Sequence, residues 1–364
     1  MDQFMETVWK KLHSIPEVGV ETPETCAYLK EQLLSFGFQV KKAAGGIVGI
    51  LDSGKPGPKF ALRADTDALE FAVDGEIRNY HGCCHDCHSA MVLAAAKTMA
   101  EEGIRKGTLY VIFQPGEEPG NGSALMLSSG ELDDIEEMLG LHFTPDSECP
   151  HGKVSPAVLH KGLVNLHATI RGRNSHGSVP EKGINAIEAG VMAVNAVNCI
   201  RMSPDKEWSV KITRFSADKS SDNTIPDYAR LTFDLRSENN ELLMDLLDKT
   251  KAAIKMAVEA VSASCEIETI MNPAPSYSDE MVHFVSELIK EELEEGAYYP
   301  PVKAAGSEDF HVYSFQRNIK TAYMDIGAKV EPGIHIYENT FDHEMLDVGY
   351  RLLCGAVRRK LGQL

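Results

Sequence analysis

The stretch from about residue 163 to residue 270 constrains the architecture of this chain more than any other part. LVNLHATIRG (163–172) reads as a strand, GINAIEAGVMAVNAVNCI (183–200) as a helix, and EWSVKITRFS (207–216) and YARLTFDLRS (228–237) as two strands. ELLMDLLDKTKAAIKMAVEAV (241–261) then reads as a helix and CEIETI (265–270) as a strand. The order β-α-β-β-α-β is that of a ferredoxin-like unit, which closes on its own core. The flanking segments have a different texture. PETCAYLKEQLLSFG (23–37) has an early Pro, apolar residues at helical spacing and a closing Gly, which predicts a helix. IVGIL (47–51), KFALRA (59–64) and TLYVIFQ (108–114) read as strands, and SAMVLAAAKTMAEEG (89–103) as a helix between the last two. After residue 272 a helix (280–296), a strand (321–328) and a last helix (344–361) return to that texture. The prediction is an α/β domain with a largely parallel sheet, in two pieces, 1–163 and 272–364, and a smaller domain nested between them at 164–271. A chain of 364 residues has the length for two domains. Something near the C-terminus must then belong with the first half.

Charge narrows the partners. A formal net charge of −18 argues against nucleic acid or an anionic membrane, both of which reward Lys/Arg patches. The opening MDQFMETVWKKLHSIPE lacks a basic stretch followed by an apolar run, so no signal peptide or spanning helix is predicted and a cytoplasmic location is expected. Five of the eight cysteines stand singly along the chain, a poor disulfide framework, and the grouped ones are metal or redox candidates.

Those three lie in HGCCHDCHSAM (81–91). Cys83 and His85 are two positions apart, which places them together only in an extended or turn segment, so the cluster reads as a loop feeding a helix at Ser89. Thiolate and imidazole are both good ligands for zinc and related ions. Cys84 and Cys87 form a literal C-x-x-C before a helix, the spacing of a redox dithiol, and an inert packed turn is the third reading. Further along, TLYVIFQPGEEPGNG puts Glu117 and Glu118 just past an apolar strand, at the edge where parallel-sheet enzymes build their sites. Adjacent carboxylates diverge, so one can hold a metal while the other serves as general base. His142 in GLHF and His335 in IGAKVEPGIHIYENTF are each, alone, as consistent with packing as with ligation.

Taken in order, RADTDALE (63–70), HGCCHDCH (81–88), FQPGEEPGNG (113–122), GLHFTP (140–145), GRNSHGSVPEKGINAI (172–187), NTIPDYARLTFDLRS (223–237), GSEDF (306–310) and IHIYENTF (334–341) resemble the motifs of the di-metal amidohydrolase and aminoacylase family. That family includes hippurate hydrolases, auxin-conjugate hydrolases and N-acetyldiaminopimelate deacetylase. The resemblance spans nearly the whole chain, and KKLHSIPEVGVETPET (10–25) is similar to the family's opening helix. It implies a zinc-peptidase-like catalytic domain with an inserted lid that often carries the dimer interface, and hence a homodimer through the lid. It implies two divalent ions per chain (zinc, manganese, cobalt or nickel) held by Cys83, His85, Glu118, His142 and His335. Glu117 takes the position of the general base, and Asp65 and Asp67 supporting positions beside the metals. His176 matches the histidine that polarises the scissile carbonyl, in its own or a neighbouring subunit. Asn223 and Arg236 match substrate-binding positions. This sequence departs from the family in carrying Cys84 where Gly is common, the extra thiol of Cys87, and Ile336 and Tyr337 after the last histidine.

The activity so implied is hydrolysis of the amide bond of N-acyl amino acids. A metallodipeptidase cuts the same bond in a substrate with a free amino group and is the first alternative. A non-catalytic Cys/His metal site or a dithiol redox protein is the alternative from another class.

Overall fold

The computed structural model describes residues 3–218 and 221–363. The chain divides into two compact units, one made of residues 1–159, 275–304 and 308–364, the other of residues 160–274 and 305–307. The first unit begins with α1 (Gln3–His13), α2 (Pro23–Ser35), β1 (Gln39–Ala43), β2 (Gly46–Asp52), β3 (Lys59–Asp65), β4 (Leu69–Val73) and β5 (Glu76–Tyr80). It continues with α3 (His85–Glu102), β6 (Thr108–Gln114), α4 (Gly122–Ser128), β7 (Glu137–Thr144), β8 (Val154–Ser155) and β9 (Val158–Leu159). The second unit holds β10 (Gly162–Arg171), β11 (Ser175–His176), α5 (Ala186–Asn198), β12 (Trp208–Asp218), β13 (Thr224–Ile225), β14 (Tyr228–Ser237), α6 (Asn240–Glu259) and β15 (Ser264–Asn272). The chain closes with α7 (Asp279–Glu292), β16 (Val302–Lys303), α8 (His311–Arg317), β17 (Lys320–Gly327) and α9 (Met345–Leu361) in the first unit.

The main sheet of the first unit has the order β1-β2-β6-β3-β7-β17-β8. The four neighbours β6, β3, β7 and β17 are parallel, while β2 and β8 run against them. Both faces of these strands are covered, and their residues divide by parity. Phe60, Leu62 and Ala64 of β3 and Leu109, Val111 and Phe113 of β6 face a core shared with α1, α2, α3, α7 and α9. Ala61, Tyr110 and Ile112 face the opposite core with α4 and α8. Such two-sided burial explains why the strands read as continuous apolar runs. Helix α3 is buried almost all round, and its Met91, Val92 and Leu93 are fully covered, each burial contributing about 1.5–3 kcal/mol. Gly349 of α9 permits the approach to α3, since a Cβ there would lie 2.2 Å from Met91 Sδ.

The second unit is an antiparallel sheet of order β12-β14-β10-β15 with α5 and α6 packed on one face around Val164, Leu166, Ala168, Leu231, Phe233, Leu246 and Ile254. Burial alternates strictly along β10, as a sheet with one covered face requires.

One local expectation is corrected. Helix α3 starts at His85, not Ser89, with Cys84 as its N-cap in the left-handed conformation (φ 62°). The Cys84 carbonyl accepts the N–H groups of Cys87 (2.9 Å) and His88 (3.2 Å), so the first turn forms inside the Cys/His cluster. With Cys84 at positive φ, the turn that carries Cys83 leads directly into His85, and both side chains reach one site.

Candidate metal centre

The candidate donors come from the ends of elements at one edge of the main sheet. Cys83 and His85 flank the start of α3, Glu117 and Glu118 follow β6, His142 lies in β7, and His335 follows β17. The C-terminal segment is clipped to the cluster through one carbonyl. Gly82 O accepts the His335 N–H at 2.7 Å and Asn339 Nδ2–H at 2.8 Å. His335 itself sits at φ 60°.

Cys83, His85 and His142 each bring a donor atom to within 4.8 Å of the others, and so do Cys83, Glu118 and His335. Cys83 Sγ lies 3.4 Å from His142 Nε2, His335 Nε2 3.5 Å from Glu118 Oε2, and His85 Nε2 4.0 Å from Glu118 Oε1. A third group, His85, Glu117 and Glu118, meets the same limit. The five sequence-predicted ligands therefore form two overlapping sets joined at Cys83.

Hydrogen bonds assign the tautomers. His85 Nδ1 donates to the Asp67 carbonyl at 2.9 Å, and His142 Nδ1 to the Phe143 carbonyl at 2.7 Å. A carbonyl only accepts, so Nδ1 of each ring carries a proton and Nε2 is the nitrogen that faces the cluster, the orientation of metal-bound histidines. His88 differs. Its Nδ1 meets Asp65 Oδ1 at 2.8 Å and its Nε2 accepts the Phe143 N–H at 3.0 Å, which consumes both nitrogens in support.

Asp67 holds the paired glutamates. Its two carboxylate oxygens accept the N–H groups of Glu117 and Glu118, each at 3.1 Å, so one side chain fixes the turn carrying both. Gly122 lets that turn close, because a Cβ there would lie 1.9 Å from the Pro115 carbonyl. Asp65 accepts from Arg63 Nη1 at 2.8 Å and lies 3.7 Å from His85 Nε2.

Behind these groups lies a buried ionic network. Arg63 is fully buried and bonds Asp65, Glu308 (3.2 Å) and Asp309 (2.8 Å). Gln114 Nε2 and Ser123 N donate to Asp309, and Tyr323 Oη donates to Glu308 at 2.7 Å. Glu308 and Asp309 each approach Glu117 to within 4.8 Å. RADTDALE and GSEDF flagged both ends, but pairing across 245 residues carries no local signal.

Electrostatics describe a site built for a cation. Burial pushes the Glu117 carboxyl well above its usual range, reinforced by Glu308, Glu118 and Asp309. Burial also raises Glu118 and, strongly, the Cys83 thiol, in both cases against the pull of His85. Burial opposes ionisation of Asp65, yet His85, Arg63 and His88 hold it well below the carboxylate range. Burial and His88 keep His142 neutral. His85 Nε2 and Glu118 Oε1 are buried without a hydrogen-bond partner, a costly state that a bound cation removes. The donor set of sulfur, nitrogen and oxygen fits a divalent transition metal.

His176, Asn223 and Arg236 belong to the second unit. His176 Nδ1 accepts from Ser178 Oγ at 2.8 Å, and its Nε2 lies 3.3 Å from Asn223 Nδ2. The short pairing of β11 with β13 brings these two exposed residues together. Arg236 lies apart from them on β14, with Nε 3.1 Å from Asp234 and Nη1 donating to the Ala305 carbonyl at 3.0 Å.

The profile of the peptidase family M20/M25/M40 matches residues 61–359, most of the chain and every donor in the cluster. The chain belongs to this family. Among its relatives it is 29% identical over 341 residues to the hippurate hydrolase of Campylobacter jejuni, covering 88% of this chain and 87% of the other. It is 26% identical to thermostable carboxypeptidase 2 of Saccharolobus solfataricus, covering 96% and 93%. The crystal structure of the Bacillus subtilis YXEP protein, described as a dinuclear metal binding peptidase, shares the fold with a TM-score of 0.76 at 22% identity, covering 99% and 98%. The M20 chain is thus a hydrolase of amide or peptide bonds, and the redox-protein alternative is set aside as its principal activity. No helix among the described residues is long and apolar enough to cross a membrane.

Proposed function

We propose that this chain is a metal-dependent amidohydrolase that cleaves the amide bond of N-acyl amino acids. The observation that carries the reading is the Glu117–Glu118 turn held by the Asp67 carboxylate beside the donors of Cys83, His85 and His142. Cys83, His85, Glu118, His142 and His335 would hold two divalent ions, which supply Lewis acidity toward a water and a carbonyl oxygen. Glu117 is the proton carrier. Its raised basicity suits a carboxylate that takes a proton from the attacking water and returns it to the departing nitrogen. Asp67 and Asp65 orient rather than react, the first through Glu117, Glu118 and His85, the second through His88 and Arg63.

In the second unit, His176 polarises the scissile carbonyl through Nε2, with Ser178 fixing its ring from the other side. Asn223 and Arg236 hold the substrate carboxylate, and the unit acts as a lid on the catalytic unit. The same unit supplies a homodimer surface. β12 is an edge strand, and Val191 and Met192 of α5 with Ile212 and Phe215 of β12 are more than a third exposed, an apolar face beside unpaired strand backbone. The free state of all eight cysteines accords with a cytoplasmic setting.

The similarity to hippurate hydrolase favours an N-acyl substrate, and the similarity to a carboxypeptidase supports the runner-up, a peptidase. Amine release from a panel of N-acyl amino acids and dipeptides separates them. The expected result is faster turnover of the N-acyl members. Turnover confined to dipeptides would overturn the substrate class in favour of the runner-up.

A further inference from the structure

The pair Cys84 and Cys87 has no part in the metal centre, although it is interleaved with two of its candidate ligands. Both thiols are free and nearly inaccessible to bulk solvent, at 2% and 0% exposure. They occupy the N-cap and third residue of α3, and the Cys84 carbonyl accepts the Cys87 N–H at 2.9 Å. A turn closed by that bond keeps the two Cα atoms less than about 7 Å apart, the separation a disulfide requires.

Cys84 borders an internal space. It lines a cavity of about 160 Å³ on the side of the loop formed by Trp9, His13, Tyr80 and Phe341. In the same cavity wall is His81, 3% exposed, with neither ring nitrogen hydrogen-bonded, and Trp9, whose Nε1 is buried without a partner. The space admits a molecule of a few heavy atoms and offers it polar contacts. It is too small for a bulky peptide disulfide.

We propose that this cavity admits hydrogen peroxide to Cys84, and that Cys84 and Cys87 form a reversible dithiol. In the first step the Cys84 sulfur attacks the peroxide O–O bond, giving a sulfenic acid and one water. In the second the Cys87 sulfur displaces the hydroxyl as a second water and the S–S bond forms. Overall, two thiols and one peroxide give one disulfide and two waters, and an added thiol reductant reverses the bridge by exchange. Because Cys84 joins Cys83 to His85, the bridge fixes the peptide between two candidate ligands and lowers hydrolysis. That consequence alone rests on the metal-centre reading.

The test treats the full chain with limiting hydrogen peroxide and reads intact mass and the disulfide map. The expected product has lost two hydrogens, carries a Cys84–Cys87 bridge and regains its mass with reductant. Cys87→Ser is expected to stop at a sulfenic acid on Cys84, one oxygen heavier and trapped by a dimedone probe. Cys84→Ala is expected to form no bridge at Cys87. A bridge through Cys83, or peroxide consumed with Cys84 and Cys87 both left as thiols, would overturn the dithiol. In the same samples, amide hydrolysis is expected to fall about tenfold or more, the scale on which groups supporting metal ligands act, and to recover on reduction. A mapped bridge with unchanged hydrolysis would overturn the control over the ligand loop. A protein inactive before oxidation would count against the hydrolase reading while leaving the chemical test of the bridge intact.

Discussion

The metal-centre region of the first unit and the His176–Asn223 region of the second carry candidate residues of similar chemistry in opposite settings. Around the metal centre, His85, His142, Glu117 and Glu118 are each positioned by bonds to backbone or to Asp67, and Arg63 ties the next layer together in the core. In the second unit, His176 and Asn223 are exposed and hold mainly each other and Ser178. The difference teaches where precision is stored. The groups proposed to move protons or hold ions sit where direction is fixed by burial, whereas those proposed to meet a substrate sit on an exposed, short strand pair that tolerates adjustment.

The contrast has its largest expected consequence at Glu117. Glu117→Gln keeps the shape of the turn and removes the proton acceptor, so turnover falls on the order of 10²- to 10⁴-fold while bound metal, measured by elemental analysis, stays at the wild-type level. Metal loss on the same scale as activity loss would make Glu117 a ligand rather than a base.

Arg63 comes next. Arg63→Met leaves Asp65, Glu308 and Asp309 buried without their shared cation, which costs about 3–5 kcal/mol. The check is the denaturation midpoint of the variant, and a shift below the error of the measurement would show that the buried carboxylates have another counter-charge.

At His176 the prediction reverses. His176→Ala lowers turnover roughly 10²-fold, yet its unfolding free energy stays within about 0.5 kcal/mol of the parent, because the side chain is exposed. Comparable losses in stability and activity would erase the distinction between the two regions.

The smallest effect concerns pH. His13 Nδ1 lies 2.7 Å from Asp86 Oδ2, and this hydrogen bond outweighs burial and raises the His13 pKa above its ordinary value. A raised histidine stabilises the fold fully below its unfolded pKa of about 6.5 and loses that contribution as pH rises through the higher folded value. Melting temperature should therefore decline with rising pH just above that point in the parent and decline less in His13→Ala. Identical slopes would mean that the pair contributes nothing.

Much of the fold was legible because burial imposed a period on the sequence. TLYVIFQ and YARLTFDLRS coincide with β6 and β14, where one or two covered faces set the pattern. The β4–β5 hairpin left no such trace, since all of its strand residues are partly or fully exposed. The start of α3 differs from the expectation because a cysteine, unlike glycine, does not by itself announce a positive φ. The candidate ligands were visible as residue types, but His142 and His335 gained meaning only jointly, through the family's motif order. The Arg63 network was hidden for another reason: its charges pair only after β3 and the segment before α8 meet in the core.

The most direct test of the central claim is to strip the protein of metal and titrate manganese back while following hydrolysis of an N-acyl amino acid. The account predicts no turnover without metal and a rise that saturates near about two ions per chain. Hydrolysis that persists in the metal-free protein would contradict it.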